Sequence, residues 1–73
     1  MNPSINQLYL MQSCRKLGIP ENFVPIFLVR CGASEAEYQD LVKQGMVETK
    51  DGRIQLTKAG KRVFKREHQR GYF

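Results

Sequence analysis

The chain lacks any apolar stretch long enough to cross a bilayer. Its longest charge-free apolar run is FVPIFLV, from Phe23 to Val29, where a spanning helix needs about 20 residues. The start has neither the basic segment nor the apolar run of a signal peptide, so the expectation is a cytoplasmic protein with no membrane partner. Cysteine is scarce. Cys14 and Cys31 stand alone, without the close pairing of a zinc site or a redox motif, and are expected to be small buried apolar residues. A disulfide between them is an alternative that a cytosolic setting does not call for. His68 is the single histidine and has no cysteine or carboxylate spaced to share a metal. Phosphate loops, paired-carboxylate clefts and nucleophiles with a base at hand are all missing. A chain of 73 residues also has little depth for a desolvated pocket. These absences argue against an enzyme, a cofactor, a metal site or a small-molecule substrate.

What the chain does have is positive charge, unevenly placed. Hydrophobic residues at 41% and charged residues at 26% are the balance of one small globular domain with a modest core. The net charge is +5, yet residues 1–49 carry four Lys/Arg against five Asp/Glu, a net of −1. Residues 50–73 carry eight against two, a net of +6. The basic character therefore belongs to the last third of the chain and favours an anionic partner, most often nucleic acid. The plainer alternative is a solvated helix face that maintains solubility.

Along the chain there are no repeats or low-complexity tracts. Ser4 is expected to cap a first helix that runs to about Leu17 and stops at Gly18. Pro20 and Pro25 rule out one continuous helix beyond that point, but Pro25 suits the first turn of a short helix over Val24–Cys31. Phe27, Leu28 and Cys31 would then face inward, although IFLV also fits a buried strand. Gly32 closes this element. Ser34 and Glu37 form an S-x-x-E capping box that opens a third helix, with Tyr38, Leu41 and Val42 as its apolar stripe and Gly45 at its end. A strand over Met46–Lys50 follows, with Val47 inward and Glu48 outward. Asp51-Gly52 is the strongest short hairpin signal available, because a type I′ turn needs positive φ at both central residues. Arg53–Leu56 returns with Ile54 and Leu56 on one face. Thr57 caps a last helix with Ala59, Val63 and Phe64 on its apolar side. The expected core is Leu8, Phe27, Cys31, Tyr38, Leu41, Val47, Ile54, Leu56 and Val63. Residues 1–66 form the expected domain, and 67–73 a flexible basic tail that includes His68.

The order helix, short helix, tight glycine turn, capped helix and hairpin resembles the winged helix-turn-helix superfamily over roughly residues 24–64. Two pieces carry the resemblance: the turn CGAS, and LVKQGMVETKDGRIQLTKAGKRV. The longer piece is similar to the end of a recognition helix, a wing, and the LT-x-x-G helix that follows in many winged-helix regulators. The resemblance implies an α/β (α+β) fold of three to four helices plus a two-stranded antiparallel β-hairpin. The implied recognition helix contains Ser34, Glu35, Gln39 and Lys43. Two features depart from the pattern. Leu28 sits where a small residue usually lets the two helices approach, and Glu35, Glu37 and Asp40 outnumber Lys43, so this helix would be repelled by phosphates.

The contacts are therefore expected from the wing and the last helix. Lys50 and Arg53 flank the wing tip. Lys58, Lys61, Arg62, Lys65 and Arg66 recur at helical spacing. This arrangement implies a small transcription regulator that grips DNA by its phosphates, with affinity but little sequence preference. An alternative partner is RNA polymerase or another acidic protein surface, since the chain is similar in outline to small phage-encoded proteins that redirect transcription. RNA or ribosomal binding is a third option.

Overall fold

The structure, a computed structural model, describes residues 2–71. Among them are four α-helices, α1 (Ile5–Ser13), α2 (Val24–Cys31), α3 (Glu35–Lys43) and α4 (Lys58–Gln69). Three strands, β1 (Ile19–Pro20), β2 (Val47–Lys50) and β3 (Arg53–Leu56), complete a mixed α+β fold. A 3₁₀ turn over Glu21–Phe23 leads from β1 into α2. No helix among the described residues is long and apolar enough to cross a membrane.

The sheet has three antiparallel strands in the order β1-β3-β2, which corrects the expected two-stranded sheet. The turn is as the sequence implies. Asp51 and Gly52 both have positive φ, 53° and 74°, and Val47 faces Leu56 while Thr49 faces Ile54. The unexpected strand is β1, whose Ile19 and Pro20 pair with Ile54 and Arg53. Two residues give no alternation to read, and one is a proline. Proline is tolerated here because β1 is an edge strand. The pairing continues through Glu21, whose N–H donates to the Gly52 carbonyl at 3.0 Å.

The same strand shortens the first helix. It ends at Ser13, not Leu17, and Leu17 is exposed. Gly18 is not a helix stop but a close approach: a Cβ there would lie 2.7 Å from the Ile54 carbonyl oxygen. Burying Ile19 beside β3 outweighs another turn of helix, for a fully buried isoleucine is worth roughly 1.5–3 kcal/mol.

α1 crosses the other three helices and supplies the centre of the core. Leu8, Leu10, Met11 and Cys14 are buried with Ile19, Leu28, Leu41, Val47, Ile54, Leu56 and Phe64. Leu8, Leu41, Val47, Ile54 and Leu56 are where the sequence pattern puts them. Phe27, Cys31, Tyr38 and Val63 are only partly buried against this cluster, and Val42 is exposed. IFLV is helical, and α2 buries Val24 and Leu28, leaving Phe27 and Cys31 at the edge of its inward side.

α4 continues through Gln69, with Arg70 as its C-cap. Glu67, His68 and Gln69 are thus helical rather than tail. Tyr72 and Phe73, the last two residues of the expected tail, lie outside the described residues.

Candidate functional site

Everything on α4 depends on how its first turn is seated. Thr57 Oγ accepts from the Gly60 N–H at 3.0 Å and donates to the Gly45 carbonyl. The Thr57 N–H donates to the Met46 carbonyl at 3.0 Å. Gly60 then rests on that carbonyl so closely that a Cβ would meet its oxygen at 2.0 Å. This is the physical content of the LT-x-x-G sequence: threonine caps the helix, and glycine lets it approach the end of α3. With Gly60 fixed inward, the 3.6-residue period turns Phe64 and Glu67 inward as well.

The opposite side is cationic. Lys58, Lys61, Arg62 and Lys65 are all exposed, and the ion pairs of the described residues involve none of them. The one carboxylate of α4, Glu67, is 5% exposed on the inward side. There it accepts from Arg66 Nη2 at 2.9 Å and Nε at 3.0 Å, with Arg70 at 3.8 Å. Arg66, one of the expected ligand contacts, keeps 42% of its side chain exposed while its guanidinium pairs with this buried acid, whose charge has to be paired to be tolerated.

The hairpin residues also part company. Lys50 is exposed near the turn. The Arg53 guanidinium reaches the other way, making long hydrogen bonds of 3.4 and 3.5 Å to the Leu17 and Gly18 carbonyls. It thus braces the chain before β1.

Sequence reasoning overlooks Arg15. It follows α1 in an irregular turn, yet its guanidinium lies 5.0 Å from the centroid of Phe64. Together with Lys61, Lys65 and His68 it borders a groove of about 410 Å³ whose floor is Leu56 and Phe64. His68, expected in the tail, is stacked on Phe64 with centroids 6.1 Å apart and planes 7° apart. Nothing in the residues around Arg15 announces this, since the contact joins positions 49 apart in the chain.

α3 presents a different picture from its formal charge. Ser34 caps it, accepting from the Glu37 N–H at 3.1 Å, and Glu37 reciprocates by accepting from the Ser34 N–H at 3.0 Å. The other oxygen of Glu37 accepts the Ser4 hydroxyl. The Ser4 bond foremost, and then the Ser34 N–H, hold the Glu37 carboxyl below its usual range. Asp40 accepts from Gln7 Nε2 at 3.1 Å, and the same amide donates to the Glu37 carbonyl at 3.0 Å. Gln7 Oε1 accepts the Ser4 N–H at 2.8 Å, so this buried amide is satisfied on both sides. Two of the three acids therefore fasten α3 to α1. The residues left outward are Glu35, Ala36, Gln39, Val42 and Lys43, with Glu35 accepting from Gln39 at 3.0 Å.

Both cysteines are free thiols. Burial, aided by the neighbouring Cys31, pushes the Cys14 thiol up to about 12, so it stays protonated and unreactive. Among the described residues no group of three or more His, Cys, Asp or Glu could hold a metal ion. The chain matches no protein-family model, no curated protein and no solved structure.

Proposed function

We propose that the chain is a small, non-enzymatic winged-helix regulator of transcription. In this reading it binds duplex DNA by its phosphates through α4, with Lys50 of the hairpin as a further contact. The observation that carries the reading is the outward face of α4, where four cations stand exposed and none takes part in an ion pair among the described residues. A solvated face that served solubility alone would need no such segregation of sign. The winged-helix assignment draws on the capped α3, the hairpin that follows it, and the anchoring of that hairpin by β1. A wing must be held against the helices to present its tip, and β1 supplies that brace.

The acids of α3 still weigh against DNA contact by that helix, since hydrogen bonds from neutral groups leave their charges in place. Glu37 and Asp40 are engaged with Ser4, Ser34 and Gln7, leaving the outward side with Glu35 against Lys43. That helix therefore offers repulsion and little base-reading capacity, which leaves the contacts to α4 and Lys50 and makes the expected binding weak in sequence preference.

Binding of a random duplex by fluorescence anisotropy at two salt concentrations tests this. Five phosphate contacts, from Lys50, Lys58, Lys61, Arg62 and Lys65, imply a slope of log K against log salt of about −4.5. Affinity should then fall by about 500-fold between about 50 and about 200 mM salt. Neutralising Lys61, Arg62 and Lys65 together should lower the slope by nearly three and weaken all duplexes alike. Failure to bind duplex at about 50 mM salt would reject DNA and leave an acidic protein surface, such as one on RNA polymerase, as the partner of the same cations.

A further inference from the structure

We infer that the groove beside α4 is a site for an unpaired nucleotide within a single strand of nucleic acid. The inference goes beyond the duplex reading: it shares Lys61 and Lys65 with it but stands on a different part of the molecule. The groove encloses about 410 Å³ between α4 and the turn after α1, within the range of about 300–1,000 Å³ that ordinary ligand sites occupy. Its floor is Leu56 and Phe64, both 4% exposed and so held in place by the core. Its rim is Arg15 on one side and Lys61, Lys65 and His68 on the other, all exposed. No described residue that borders it is acidic.

Each part of the groove asks for a different part of the ligand. Lys61, Lys65 and His68 stand at i, i+4 and i+7, so they line about 10 Å of the helix. An edge of that length outmatches a single small anion and fits successive phosphates of a strand. Arg15 adds a cation from across the groove, its guanidinium already settled 5.0 Å from the centroid of Phe64. The His68 ring lies parallel to that of Phe64, at 7° with centroids 6.1 Å apart. Phe64 is buried whereas His68 is exposed, so the flat surface offered at this rim is the imidazole. A base is the planar group that stacks on such a ring while its own phosphates meet the surrounding cations.

Duplex DNA cannot use the groove in this way. Its bases present their edges and never their faces, so the apolar floor and the imidazole would go without a partner. An acidic peptide would satisfy the cations and could lay an aliphatic side chain on the floor, but it has no need of a flat ring at the rim. A base with its phosphates accounts for floor, ring and charges together. The cationic face of α4 adjoins the groove through Lys61 and Lys65, so a strand whose base occupies it can continue along Lys58 and Arg62.

Fluorescence anisotropy with oligothymidylate and oligouridylate of about eight nucleotides tests this, against an abasic strand of equal length that has the same phosphates and no bases. The tighter of the two oligonucleotides identifies DNA or RNA as the source of the strand, and it should bind at least about fivefold more tightly than the abasic strand. This comparison uses the unchanged chain and so holds whatever a substitution does to folding. His68→Ala should erase the advantage, whereas His68→Tyr, which restores a flat ring, should keep it. Arg15→Gln should weaken both strands and lower the salt slope by about 0.7, the share of one phosphate contact on a single strand. A blunt random duplex should bind His68→Ala as well as it binds the unchanged chain, so a failure of the duplex reading and a failure of this one fall in different assays. Equal binding of the oligonucleotides and the abasic strand overturns the inference, and so does His68→Tyr behaving like His68→Ala. A peptide of alternating Glu and Leu that binds more tightly than either oligonucleotide, and loses affinity with Arg15→Gln, would also overturn it by making the groove a protein-docking site.

Discussion

Replacing Gly60 by alanine sets two effects against each other whose sizes can be compared. In the interior of a helix this substitution ordinarily stabilises by about 0.5–1 kcal/mol, because alanine loses less conformational freedom on folding. Here the added methyl would sit 2.0 Å from the Met46 carbonyl oxygen, 2.9 Å from its carbon and 3.3 Å from Leu56 Cδ2. Ordinary carbon contacts begin near 3.5 Å, so the first turn of α4 has to retreat by roughly 1 Å or more. Overpacking of this kind costs about 1–3 kcal/mol. Retreat also stretches the Thr57 N–H bond to the same carbonyl, now 3.0 Å, worth about 1 kcal/mol. The net expectation is a loss of about 1–3 kcal/mol. For a domain of this size that lowers the Tm by at least about 5 °C. Calorimetry together with urea unfolding measures it, with Ala59→Gly as a control that loses helix propensity without any clash. If Gly60→Ala instead raised stability by about 0.5–1 kcal/mol, the close seating of α4 on Met46 would be refuted.

The acids of α3 supply two further tests. Glu37 has its carboxyl held below the ordinary value of 4.5, so its contribution is fully present above that pH and is lost as pH falls through the lower folded value. Thermal melts between about pH 6 and pH 3 should show an acid-side decline that Glu37→Gln reduces, and identical profiles would discount the Ser4 and Ser34 bonds. Glu35→Gln and Asp40→Asn should each strengthen duplex binding modestly by removing an acid from α3, and Asp40→Asn should also change stability in urea titrations because its carboxylate accepts from Gln7; unchanged affinity in both would mean that α3 lies away from the duplex. Ser34→Ala should cost about 1 kcal/mol, read from the same titrations, by leaving the Glu37 N–H without its cap. Leu41→Ala, at a fully buried position, should cost about 2–5 kcal/mol and unfold much of the population in so small a domain, which far-UV circular dichroism would show.

What the sequence made legible was local. Ser34 with Glu37, Asp51 with Gly52, and Thr57 each act on backbone groups within three residues, and each stands where it was expected. β1 escaped because its pairing partner lies over thirty residues away and its two residues have no period. The length of α1 was misjudged for the same reason, since burial of Ile19 against Ile54 decided where the helix stopped. Helical spacing placed Lys58, Lys61, Arg62 and Lys65 together correctly. It could not foresee that Arg66 would turn to a buried Glu67, nor that Glu37 and Asp40 would find partners on α1. Charge counted along a chain says nothing about which side chains already have partners.

The seating of α4 also bears on how much disorder binding has to remove. The Thr57 and Gly60 contacts tie the start of the cationic helix to the Gly45 and Met46 carbonyls, and the Glu67 cluster holds its end. The backbone beneath Lys58, Lys61, Arg62 and Lys65 is therefore fixed before any ligand arrives. Only the tips of four long side chains remain to be ordered, at about 0.5–1.5 kcal/mol each when they are immobilised. A face that meets phosphates as point charges does not require even that in full, because a lysine can neutralise a phosphate while sampling several rotamers. If duplex DNA is the partner, as proposed, the helix offers it a rigid array with mobile ends, suited to staying bound while it shifts from one set of phosphates to the next.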